Sequence, residues 1–227
     1  MGDTRQRILD TARGLFNEAG VARVGVREIA RALEMSPGNL AYHFATKDEL
    51  VAALVKELHA RVNADVGAGM AAEPSLAGFY RAVQAAMRDL LAYRFVLLSY
   101  VDAVRASPEL QALAAEHLAR RRQRHDLLLE TLARSGYLDR RAALARTDLL
   151  FEQGELISSG WLNAATVRGW RDDEETIRHF AKVGVALLEP CCTPRGAREM
   201  RRILSGDLDL DLDLDREPEP ARRRKSR

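Results

Sequence analysis

Apolar residues recur with helical spacing through the opening of the chain, and capping residues separate the runs. Ile8, Leu9, Ala12, Leu15, Phe16 and Ala19 share one face of a first predicted helix, which Thr4 can cap and Gly20 ends. Val26, Ile29, Ala30 and Leu33 form a second, two-turn stripe. Ser36-Pro37 then places an N-cap before a proline at the first helical position, opening a very short third helix that runs to about His43. Thr46 with Glu49 three residues on outlines a capping box, and a longer helix follows through Leu50, Leu54, Val55 and Leu58.

Beyond this point the apolar stripes lengthen. Turn signals at Gly67 to Pro74, Ser107-Pro108, Ser135-Gly136, Arg168-Gly169, Pro190 and Gly206 divide the chain into helices near 75–92, 94–106, 108–135, 140–167, 172–189 and 194–205. Asp172, Asp173, Glu174 and Glu175 crowd one first turn, where the helix dipole favours them. From Asp207 to Asp215 aspartate alternates with leucine, and a basic end closes the chain. Five aspartates in nine residues repel one another with no sheet to join, so 207–227 is expected to be a disordered charged tail. Its basic end is either simply solvated or able to bind phosphate.

Composition agrees with an all-α protein: aromatics are 6% of 227 residues, and alanine and leucine dominate. The net charge of +2 excludes a histone-like polycation. The adjacent Cys191 and Cys192 form no disulfide framework, which points to a reducing compartment and a cytoplasmic location. The apolar stretch Phe95 to Val104 is interrupted by Asp102, the N-terminus lacks a signal-peptide core, and no membrane partner is expected. No metal-binding or phosphate-loop motif occurs and no cofactor is expected; His117 and His125, eight residues apart on one helix, are separated by about 12 Å along its axis. Arg120-Arg121-Arg122 and Arg124 between them read either as a solvated face paired with Glu116 and Glu130 or as an anion site.

The segment from Arg5 to Val55 resembles the DNA-binding domain of the TetR family of bacterial transcriptional regulators. The resemblance rests on Arg7-Ile8-Leu9, Ala12, Leu15-Phe16, Gly20, Val26-Arg27-Glu28-Ile29-Ala30, and above all on SPGNLAYHFATKDEL from Ser36 to Leu50. It implies a three-helix DNA-binding domain over 1–58 with its helix-turn-helix at about 26–44. A larger helical domain over 59–206 would dimerise and bind a small-molecule effector. The function implied is that of a ligand-responsive regulator, a repressor first and an activator second, binding double-stranded pseudopalindromic operator DNA as a homodimer.

The residues support this reading chemically. A recognition helix must be held from behind while its first turns stay open to the major groove. Ile29, Ala30, Leu33, Met35, Leu40 and Phe44 supply the packing face. Pro37, Gly38, Asn39 and Ala41 lie outside, where Asn39 can pair bidentately with adenine. Arg27, Ser36, Tyr42 and Lys47 suit phosphates, Lys47 by adding a charge to a helix N-terminus; by resemblance Tyr42 and Lys47 touch the sugar-phosphate backbone. His43 reads as a packed neighbour of the motif. Ser36 serves either as a cap alone or as a cap and a contact. Residues 1–58 hold eight basic and eight acidic side chains, so affinity must come from a few placed donors.

Two positions depart from the family pattern. Glu34 stands where glycine is usual in the turn, and if φ is positive there it costs about 1 kcal/mol. Gly25 stands where threonine often caps the second helix. In the larger domain, Tyr93, Phe95, Ser99, Tyr100, Gln153 and Trp161 are the candidate ligand-binding residues, although aromatics at helical spacing also build ordinary cores. Small residues at Ser158-Ser159-Gly160 and Ala164-Ala165, with the stripe Ile177, Phe180, Val183, Val185 and Leu188, fit a dimerising four-helix bundle. A helical enzyme or carrier is the competing class, but no nucleophile–base or metal constellation accompanies it.

Overall fold

A computed structural model of the protein describes residues 2–208. Among them the regular elements are helical, apart from one isolated antiparallel bridge between Leu138 and Cys192. Three helices come first, α1 Gly2–Ala19, α2 Val26–Ala32 and α3 Pro37–His43. The first begins before Thr4, so Thr4 lies inside the helix rather than capping it.

The next helix, α4 Lys47–Ala72, passes through Gly67 and Gly69 without the expected break and stops at Glu73-Pro74, where proline cannot continue it. At 26 residues it is about 39 Å long, so the expected boundary at residue 58 falls within one continuous rod. Gly69 allows α5 Leu76–Ala92 to pack closely: a Cβ at this position would lie 3.1 Å from that of Ala82.

The predicted helix 94–106 is two, α6 Phe95–Leu98 and α7 Tyr100–Ala106, divided at Ser99. After α8 Pro108–Arg134, the predicted helix 140–167 is likewise split, into α9 Arg140–Leu144 and α10 Thr147–Val167. Asp173 caps α11 Glu174–Ala186, and a 3-10 turn at Glu189–Cys191 leads to α12 Pro194–Ser205. Asp207 and Leu208, expected to open the tail, are helical, and Leu208 is buried in the core of the larger domain. The rest of the Asp-Leu alternation and the basic end lie outside the described residues.

Two hydrophobic clusters hold the chain together. The first joins Ile8, Phe16, Ile29, Leu40 and Leu54 to Tyr93, Phe95, Leu110 and Leu113, and therefore crosses the expected domain boundary. The second, built around Tyr80, Leu132, Trp161, Phe180 and Ile203, is the core of the larger domain. Cys191 and Cys192 are free thiols; burial raises both, Cys192 to about 11, which leaves them poor nucleophiles.

Between the clusters the interior is polar. His59 of α4 stacks on His117 of α8 with ring centroids 3.6 Å apart. Burial first, then the charges of His117, Arg121 and Arg124, pulls His59 down to about 3. His59 therefore stays neutral in the folded chain and takes up a proton near pH 6.5 when unfolded. Its contribution to stability is complete above about pH 6.5 and falls as the pH drops toward 3. Urea unfolding is expected to show an acid limb steepened by up to about 1.4 kcal/mol per pH unit from this residue, and His59→Gln to flatten it by that amount; an identical limb in the variant contradicts this.

Candidate nucleic-acid interface

The helix-turn-helix is assembled mainly by backbone bonds and caps. Gly25 opens α2 with no side-chain cap, and only its carbonyl accepts, from the amides of Glu28 and Ile29. At the other end the Glu34 amide donates to the Arg31 carbonyl and the Met35 amide to the Ala30 carbonyl at 3.0 Å. These are the two bonds of a Schellman turn, which needs a left-handed residue between them. Glu34 fills that place with φ +54°, so the strain expected from its sequence position is present.

Across the turn, Ser36 caps α3 by accepting from the Asn39 amide at 3.1 Å. Leu40 and Phe44 are buried and anchor the helix from behind, and the Arg5 guanidinium lies 4.7 Å above the Phe44 ring. Pro37, Gly38, Asn39 and Ala41 are exposed on the other side, and Tyr42 is 73% exposed. His43 is half-buried, with its ring edge-on to Tyr42 at 5.3 Å. The outer face of α3 is thus open, small at its start, and carries one amide and one phenol.

The start of α4 completes the frame. Thr46 accepts from the Glu49 amide at 3.1 Å, and the Glu49 carboxylate reaches back to the Ala45 amide at 2.8 Å. The Lys47 ammonium donates to the Val21 carbonyl at 3.0 Å, tying the α1–α2 turn to this helix N-terminus. With three donors it keeps two for an anion. Arg27 is exposed in the first turn of α2.

Three of the pocket candidates occupy a different place from the one expected. Tyr93 and Phe95 are buried against the DNA-binding domain: Arg13 donates to the Tyr93 hydroxyl at 3.2 Å, and Phe95 packs on Phe16 at 5.5 Å. Ser99 accepts from the Val21 amide at 3.3 Å. They fasten two parts of the chain because α6 lies against α1. Trp161 is buried beside Phe180, while Tyr100 and Gln153 are half-buried. A cleft of about 540 Å³ opens elsewhere, between α1, α4 and the first turn of α8, lined by Arg5, His43, Glu49, Lys56 and Glu109 among others. Among the described residues no group of three metal-binding side chains forms.

Sequence reasoning missed Asn17. Its side-chain nitrogen donates to the Ala92 carbonyl at 2.9 Å and its oxygen accepts from the Phe95 amide at 3.1 Å. Nothing in the sequence distinguishes Asn17 from any other polar residue beside an apolar stripe.

An open, rigidly backed second helix after a Schellman turn defines a helix-turn-helix DNA-binding protein. The comparisons agree. Residues 8–54 match the family model described as bacterial regulatory proteins, tetR family, and residues 53–200 match that of a bacterial transcriptional repressor. The HTH-type transcriptional repressor AcnR of Corynebacterium diphtheriae is 29% identical over 188 residues, 82% of this chain and 93% of its own. The repressor Rv1474c of Mycobacterium tuberculosis is 38% identical over 88 residues, 39% of this chain and 41% of its own. A TetR-family regulator from Marinobacter aquaeolei shares the fold, with TM-score 0.74 at 22% identity, covering 89% of this chain and 96% of that one. The protein belongs to the TetR family, a family of DNA-binding transcriptional regulators rather than enzymes.

Because Glu34 carries the left-handed turn, Glu34→Gly is expected to raise the unfolding free energy by about 1 kcal/mol in urea melts. A loss of stability contradicts the strain assignment.

Proposed function

We propose that the protein is a cytoplasmic homodimeric repressor that lays two copies of α3 in successive major grooves of a pseudopalindromic operator and leaves it when a small molecule binds the larger domain. The observation that carries this is the open face of α3, with Asn39 presented to base edges by a helix whose back is locked through Leu40 and Phe44. Arg27, Ser36, Tyr42 and Lys47 surround it as phosphate partners, and Gly38 and Ala41 keep the approach close. His43 braces Tyr42 through the ring contact.

Dimerisation is supported by apolar residues left in the open. Leu149, Leu156 and Val167 lie at helical spacing along α10 and are 48%, 73% and 88% exposed, and Val183 of α11 is 40% exposed. A run of this kind on two adjacent helices suits burial against its own copy. Half-sites one helical turn apart, about 34–36 Å, would then match the two recognition helices. Among the described residues no helix is long and apolar enough to cross a membrane.

Anisotropy titrations on the DNA upstream of its own gene test the roles. Asn39→Ala is expected to lose about 1–3 kcal/mol on the operator while keeping non-specific binding, which relaxes specificity. Lys47→Ala is expected to weaken all DNA and to make the log–log salt slope shallower by about one unit. Unchanged binding by both variants contradicts the assignment.

A further inference from the structure

We infer that the polar level at which α4, α8 and α10 meet is a binding site for a small oxyanion, a carboxylate or a phosphate. The inward stripe of α8 runs through Leu110, Leu113, His117, Arg121, Arg124, Leu128 and Leu132 at steps of three and four residues. Its ends are apolar and belong to the two hydrophobic clusters, Leu110 and Leu113 to one and Leu128 and Leu132 to the other. Its middle is two arginines and a histidine, where a helix buried only for packing would continue with leucine. The stripe of α4 changes at the same level: buried Leu54 and Leu58 give way to His59 and, one turn on, Asn63.

Several polar atoms here lack partners. His59 Nδ1, Asn63 Oδ1 and His117 Nε2 are buried and have no hydrogen-bond partner among the described residues. Each such atom costs about 1–3 kcal/mol, and folded proteins keep few of them. The arginine run divides by direction. Arg120 pairs with Glu116 on the same helix, and Arg122 with Asp126 and Asp148. Arg121 crosses to α10, reaching Glu155 at 2.6 Å and the Ser158 hydroxyl at 2.6 Å. Arg124 has no ion pair among the described residues; burial and repulsion from Arg121 and Arg120 outweigh its attraction to Glu155.

Two inward arginines against one glutamate leave the level with a surplus positive charge beside neutral imidazoles that can donate N–H groups. A cation would add to the surplus; an oxyanion would offset it. A metal site does not fit either: the two rings are tilted by 39° with centroids 3.6 Å apart, and among the described residues no third metal-binding side chain joins them. The Arg121 side chain is 43% exposed, so the polar level reaches the surface there. This deepens the effector reading above and rests on it: an occupant here touches α4, which is continuous with the DNA-binding domain.

The full-length chain, labelled with ¹⁵N-histidine, is titrated at constant ionic strength with succinate, its neutral analogue succinamide, the dication 1,4-diaminobutane and inorganic phosphate. Succinate or phosphate is expected to shift the His59 and His117 imidazole resonances saturably and to raise the melting temperature, with the better of the two naming the source. Succinamide and the diamine are expected to do neither. Arg124→Gln is expected to weaken the effective anion by about tenfold or more, whereas Arg120→Gln, which alters an outward residue of the same charge, leaves it intact. Equal responses to all four compounds, no response to either anion, or undiminished binding by a folded Arg124→Gln protein overturns the inference. Anion binding that leaves operator affinity unchanged keeps the site and overturns the effector reading instead; failed anion binding with normal operator recognition overturns the site alone.

Discussion

Asn17 satisfies the backbone on both sides of the bend between α5 and α6, giving a proton to the Ala92 carbonyl and accepting one from the Phe95 amide. Beside it Phe16 and Phe95 close the same seam with their rings, and Ser99 holds the Val21 amide one turn further on. The chain ends of α1 and α6 are thereby fixed to each other through hydrogen bonds and apolar contact together. The DNA-binding helices therefore do not close their core alone: Tyr93, Phe95, Leu110 and Leu113 complete it. Whatever moves α6 or α8 must move or strain the packing behind α3.

The second connection is α4, which carries Lys47 at one end and packs against α5 toward the other. Lys47 bonds the α1–α2 turn through the Val21 carbonyl, the same residue whose amide Ser99 holds. Val21 is thus gripped from both parts of the molecule. The seam at α1 and the rod of α4 form a closed frame, and the polar level at His59 and His117 sits on the rod between the two apolar clusters. Such a frame couples the packing of the larger domain to that of the DNA-binding helices through packed elements instead of a loose linker.

Much of the DNA-binding half was legible in the sequence because its signals are local. Caps at Ser36 and Thr46, the stripe of Ile29 and Leu40, and the misplaced Glu34 each act within a few residues. The larger half was read less well. Breaks at Ser99 and at Ala145-Arg146 went unseen because no proline or glycine marks them, and Gly67 suggested a break where the packing of α5 carries α4 through. Tyr93, Phe95 and Ser99 looked like a pocket because aromatic and polar residues at helical spacing carry no label for the partner they meet. Asn17 depends on contacts across 75 and more residues of chain and the pairing of His59 with His117 on one across 58, which no local pattern encodes.

The central claim is that the DNA-binding helices and the larger domain share one core across the α1–α6 seam. Native-state hydrogen exchange of Phe95→Ala measures it most directly, since this substitution removes a ring of the larger domain and touches no residue of the DNA interface. A shared core predicts that amides of Ile8 to Phe16 in α1 lose about two orders of magnitude of protection or more, the equivalent of the 3 kcal/mol or so that a buried phenylalanine contributes. Protection of α1 unchanged from the parent protein, with loss confined to α5 through α8, would contradict it.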